Sequence, residues 1–84
     1  MYNSSEVNTG KVINEAQLAA LAKQFREAAG KPRAEAARDM GVKQPSIFHA
    51  EESPEQSFLK LRRRMIEKYS PYKVEGPGFW LEKK

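Results

Sequence analysis

The chain has 84 residues, no cysteine, a single histidine and a net charge of +4. That length holds one domain with a thin core, and the composition excludes disulfide scaffolds and thiolate zinc sites. No apolar run approaches the roughly 20 residues of a membrane helix, and the start Met1-Tyr2-Asn3-Ser4-Ser5-Glu6 is not built like a secretory signal, so a cytoplasmic location is expected.

Residues 1–12 are polar without a period and read as a loose N-terminal arm. Asn14 offers an N-cap, with Gln17 three residues on as in a capping box. Leu18, Leu21, Ala22, Phe25 and Ala29 then recur at helical spacing, so helix 1 is expected over Glu15 to Ala29. Gly30 ends it, since glycine takes the left-handed position after a helix without strain.

Pro32 suits a first turn, and helix 2 is expected from Pro32 or Arg33 to Met40, stopped by Gly41. Val42 should tuck under the turn. Helix 3 is expected from Lys43-Gln44 to Glu51 or Glu52, with Pro45 tolerated near its start. Ser53-Pro54-Glu55-Gln56 carries another start signal, which places helix 4 over about Pro54 to Lys68. Phe58, Leu61 and Met65 form its apolar stripe, flanked by Leu59 and Ile66.

The period then changes. Tyr72 and Val74 alternate with Lys73 and Glu75, Phe79 and Leu81 with Trp80 and Glu82, around Gly76-Pro77-Gly78. Alternation with aromatic residues predicts strand, either one hairpin or one long bent strand. The chain therefore divides into the arm, a helical domain over 13–69 and a β segment over 70–84. The class is mainly α, four to five helices with a C-terminal β element. A lone hairpin is marginal in water, so this segment must pack on the helices or pair with a second copy. Tyr72, Val74, Phe79, Trp80 and Leu81 are its candidate dimerisation residues.

Two short helices joined by a tight glycine turn, residues 33–52, have the spacing of a helix-turn-helix. Ala37 lies where helix 3 must cross closely, Gly41 supplies a positive φ, and Ile47 and Ala50 face back onto the other helices. Phe25-Arg26-Glu27, Arg33-Ala34-Glu35-Ala36-Ala37, Met40-Gly41-Val42, Gln44-Pro45-Ser46-Ile47 and Glu51 together resemble the Cro/CI-like, or XRE-type, helix-turn-helix of bacterial and phage regulators. The resemblance spans about Leu21 to Met65.

That resemblance implies a lambda-repressor-like bundle whose third helix, about 43–52, enters the major groove. It implies DNA contacts from Arg33, Lys43, Gln44, Pro45 and Ser46, joined on the outward face by Phe48, His49 and Glu52. It also implies a partly buried ion pair between Arg26 and Glu51. Lys43 stands where the family has a hydroxyl residue, which weakens the N-cap of helix 3.

Each side chain has a chemistry to offer. Gln44 can bond an adenine edge in bidentate fashion. Arg33 can read guanine or clamp a phosphate. Lys43, a flexible point charge, suits a phosphate. Phe48 either presses on a thymine methyl or, if the helix is rotated, joins the core. His49 can reach a phosphate as a neutral polar group. Arg62-Arg63-Arg64 fan across a wide arc of helix 4 and form a solvated face, or alternatively meet phosphate or an acidic partner.

The sequence thus points to a sequence-specific regulator of double-stranded DNA, a Cro-like repressor or the antitoxin of a toxin–antitoxin pair. Its expected partners are an operator duplex, a second copy and, in the antitoxin case, a toxin. The alternative is a protein-interaction adaptor that kept the fold without binding DNA. Its support is charge: residues 1–56 hold seven Lys/Arg against eight Asp/Glu, while 57–84 hold eight against three. No enzyme is expected, because no nucleophile is paired with a base and no glycine-rich phosphate loop is present. Neither cofactor nor metal is expected; no second ligand stands at a useful spacing from His49.

Overall fold

A computed structural model of the chain describes residues 12–76 and 79–84. Four helices, α1 (Glu15–Ala28), α2 (Arg33–Met40), α3 (Gln44–Glu52) and α4 (Leu59–Tyr69), are followed by strands β1 (Tyr72–Glu75) and β2 (Trp80–Lys83). The protein is mainly helical with a small C-terminal antiparallel hairpin. The expected arm falls, but for Val12, outside the described residues, as do Pro77 and Gly78 of the hairpin connection.

Local chemistry sets each helix end. Asn14 and Gln17 close a reciprocal capping box on α1, each side chain accepting from the other's backbone N–H at 2.8 Å. Past its end, Lys31 N–H bonds the Arg26 carbonyl and Gly30 N–H bonds that of Glu27. Gly30 has a φ of 72°. The same pair of bonds ends α2, from Val42 to Ala37 and from Gly41 to Arg38, with Gly41 at φ 71°. A Cβ on Gly41 would meet nothing within 4 Å. The glycine is needed there for its backbone conformation alone.

The start of α4 differs from expectation. Ser53-Pro54 does not open a helix; residues 54–57 turn instead, and α4 begins at Leu59. The cause is Arg62, whose side chain is fully buried. Its Nε donates to the Ala50 carbonyl at 2.7 Å, and its Nη2 to the carbonyls of Ser53 (2.8 Å) and Gln56 (3.2 Å). Its Nη1 meets Glu15 at 2.9 Å. A helix through 54–57 would direct the Ser53 and Gln56 carbonyls along its own axis; the turn brings them round one guanidinium. Arg62 is thus a core staple and no part of a solvated basic face. Arg63 also turns inward, to the Val74 carbonyl at 3.1 Å, and Arg64 alone of the three is exposed.

Leu18, Ala22, Ala36, Ile47, Ala50, Met65 and Ile66 are fully buried and join all four helices in one core. The hairpin belongs to the same core. In register Val74 faces Leu81, and Tyr72, Val74 and Leu81 are buried against the helices. Phe79 packs on that core at partial burial. Trp80 is half-buried and donates to Glu82. Tyr72, Val74 and Leu81 therefore present no apolar face to a second copy, because their side chains are already covered within the chain. The outer edge of β1 is closed too, since Glu67 accepts from Val74 N–H at 3.3 Å and Arg63 donates to its carbonyl. Among the described residues no helix is long and apolar enough to cross a membrane.

Candidate functional site

The site grows from α2, the turn at Gly41 and α3. Ala36 and Ala37 keep one face of α2 small and buried, and Ile47, Ala50 and Glu51 turn the corresponding face of α3 inward. Ile47 and Ala50, three positions apart, share one face of α3 and are completely buried, so the side chains on the opposite face point outward. Lys43, Gln44 and Pro45 are exposed at its start, Ser46 is half-buried, and Phe48 is 44% exposed. The helix is thus not rotated to take Phe48 into the core. Lys43 occupies the N-cap without a side-chain cap bond, and Pro45 lies in the first turn.

Behind this surface lies an ion cluster. Arg26 binds Glu51 through two donors, Nε at 2.5 Å and Nη2 at 3.1 Å, and both side chains are buried. The Glu51 bond, opposed by burial, holds Arg26 protonated beyond the ordinary arginine value. Arg26 also donates to the Lys31 carbonyl at 2.8 Å, which fixes the start of the link into α2.

Arg33 joins the same carboxylates, donating from Nε to Glu51 at 3.0 Å and from Nη2 to Glu52 at 2.9 Å. Lys23 of α1 also reaches Glu52, at 2.9 Å. The Lys23 ammonium lowers the Glu52 carboxyl below the ordinary glutamate value, first by hydrogen bonding. Lys23 is itself raised by that bond.

The expected contact residues thus separate into three groups. Lys43, Gln44, Pro45 and Phe48 form an outward surface at the start and side of α3. Arg33 lies beside them, its guanidinium centre 5.0 Å from the Phe48 ring centroid. Arg33, Gln44, Pro45 and Phe48 line one shallow cleft of about 440 Å³. Glu52 is turned into the ion cluster, and its charge is engaged by Lys23 and Arg33.

His49 faces the α3–α4 connection. Its Nδ1 lies 3.2 Å from Ser53 Oγ, and its ring stacks on Phe58 with centroids 6.2 Å apart. Phe48 meets the same ring in a T-shaped arrangement, with centroids 5.4 Å apart.

Lys23 carried no signal in the sequence, because its partner Glu52 stands 29 positions away. Arg62 did carry one: it lies four residues from both Phe58 and Ile66, on the buried stripe of α4.

In comparison with known proteins, the chain matches no family model, no curated protein and no solved structure.

Proposed function

We propose that this protein is a sequence-specific binder of double-stranded DNA acting as a transcriptional regulator, of the Cro/CI-like helix-turn-helix kind. In this reading α3 is the recognition helix of a lambda-repressor-like bundle. One observation carries it: the first turn of α3 stands open as Lys43-Gln44-Pro45 while Ile47 and Ala50 anchor the helix completely. A short helix held by one face, with an amide and an ammonium at its free end, has the shape and donors that a major groove admits. The Arg26–Glu51 pair supports the reading by fixing α3 against α1.

In this account Gln44 reads a base edge, Lys43 holds a phosphate, and Ser46 and His49 are supporting residues. One helix reads few bases, so two copies on one duplex, with half-sites about 34–36 Å apart, complete the operator. The buried side chains of the hairpin are not the surface through which two copies would pair. A repressor of the Cro type and an antitoxin share all of this chemistry.

A second reading, a protein-interaction adaptor, is favoured by the same ion cluster, because Glu51 and Glu52 engage two of the cations beside α3. Selecting bound duplexes from a random pool distinguishes the two. A regulator enriches a defined sequence with a two-fold pattern. An adaptor enriches none.

A further inference from the structure

Arg33 occupies an unusual position for a DNA-facing cation. Its Nε–Nη2 edge is taken by Glu51 and Glu52, and its centre lies 5.0 Å from the Phe48 ring centroid. Among the described residues nothing accepts from Nη1, and Nη2 keeps a second hydrogen. Among the described residues the Nη1–Nη2 edge therefore meets no acceptor, while the guanidinium plane is held on its other edge. Two carboxylates weaken its pull on a distant phosphate, but they leave three of its five N–H donors unused among the described residues. Such a group suits a base edge better than a backbone oxygen.

Arg33 also lines the shallow cleft it shares with Gln44, Pro45 and Phe48. Pro45 and Phe48 make it apolar, and Phe48 keeps 44% of its surface exposed. In the major groove guanine offers N7 and O6 to an arginine fork, and a C5 methyl offers an apolar contact. Thymine and 5-methylcytosine carry that methyl; cytosine and uracil lack it.

We infer that this cleft reads a 5-methylpyrimidine adjacent to a guanine. The methyl seats against Phe48 and Pro45, and the Nη1–Nη2 edge of Arg33 bonds guanine. The inference rests on the DNA-binding reading above and adds to it the base step that Arg33 and Phe48 select.

The test uses the full chain and a duplex selected from a random pool. At each pyrimidine–guanine step of that duplex, thymine is exchanged for deoxyuridine, and cytosine is compared with 5-methylcytosine. Neither exchange alters base pairing. At one step the methylated base should bind about fourfold tighter than its unmethylated counterpart, the gain from covering one methyl group. Phe48→Ala should erase that difference, and Arg33→Ala should remove the preference for the neighbouring guanine. A thermal melt by circular dichroism checks that both variants remain folded.

Equal affinity with and without the methyl at every step, or a selected sequence with no pyrimidine–guanine step, overturns the inference and leaves DNA binding standing. Failure to select any duplex overturns both.

Discussion

Arg62 of α4 donates its Nε–H to the carbonyl of Ala50 in the last turn of α3, at 2.7 Å. A buried cation thus sits at the C-terminal end of the helix whose other end is offered to solvent. Helix ends leave their last carbonyls unpaired, and positive charge is favourable there. Arg62 satisfies three carbonyls and the Glu15 carboxylate from one planar group, four acceptors where lysine has three donors. Arg62→Met should therefore destabilise the protein by about 3 kcal/mol or more, because buried acceptors lose their donors. Arg62→Lys should recover little of it. Urea denaturation measures both, and a loss below about 1 kcal/mol would show that water replaces the guanidinium easily.

The Arg26–Glu51 pair behaves differently when it is broken and when it is replaced. Arg26→Met leaves a buried carboxylate held by Arg33 alone, which should cost about 3–5 kcal/mol. Replacing both partners, Arg26→Met with Glu51→Leu, should recover much of that loss, since an apolar pair carries no desolvation penalty. A denaturation series on the two single variants and the double variant reads the coupling. Additive losses would mean that the two charges act independently.

Removing residues 71–84 should abolish cooperative folding. Tyr72, Val74 and Leu81 are buried against the helices, and each such side chain contributes about 1.5–3 kcal/mol. Together they approach the 5–15 kcal/mol by which a typical domain is stable, to order of magnitude. The readout is the loss of a sigmoidal thermal transition. A truncated chain that still melted cooperatively at the original temperature would place the hairpin outside the core.

Acid should loosen the link between α1 and α3 in a defined window. Lys23 lowers the Glu52 carboxyl below 4.5, so the carboxylate is favoured in the folded state. That contribution is present above the unfolded value and is lost as pH falls through the lower folded value. Carboxyl-carbon NMR of Glu52 should give a midpoint below 4.5, moving upward in Lys23→Met. A midpoint at or above the ordinary glutamate value would show that the contact does not persist in solution.

Much of this architecture was legible because local rules and the core agreed. The capping box at Asn14, the left-handed glycines at 30 and 41, and the spacing of Ile47 and Ala50 each act within a few residues, where sequence order reports proximity. The start of α4 was not legible from the same rules. Ser53-Pro54-Glu55-Gln56 has a helix-start pattern, but a guanidinium from six to nine positions away took its carbonyls first. The ion cluster was half legible: the resemblance implied Arg26 with Glu51, whereas Lys23 and Arg33 on Glu52 depend on how three helices meet. The hairpin's aromatic content is visible in the sequence, but periodicity leaves packing on the helices and pairing with a second copy equally open, because it does not say which surface covers an apolar strand.

The open first turn of α3 is proposed to engage duplex DNA through Lys43 and Gln44, and affinity measured against salt tests this most directly. The parent chain should bind its selected duplex with an affinity that falls steeply as salt rises, through counterion release. Lys43→Ala should weaken binding to all duplexes and reduce the slope by about 1. Gln44→Ala should leave the slope alone and narrow the gap between selected and scrambled sequence by roughly 1–3 kcal/mol. Parent-like curves from both variants would contradict the claim.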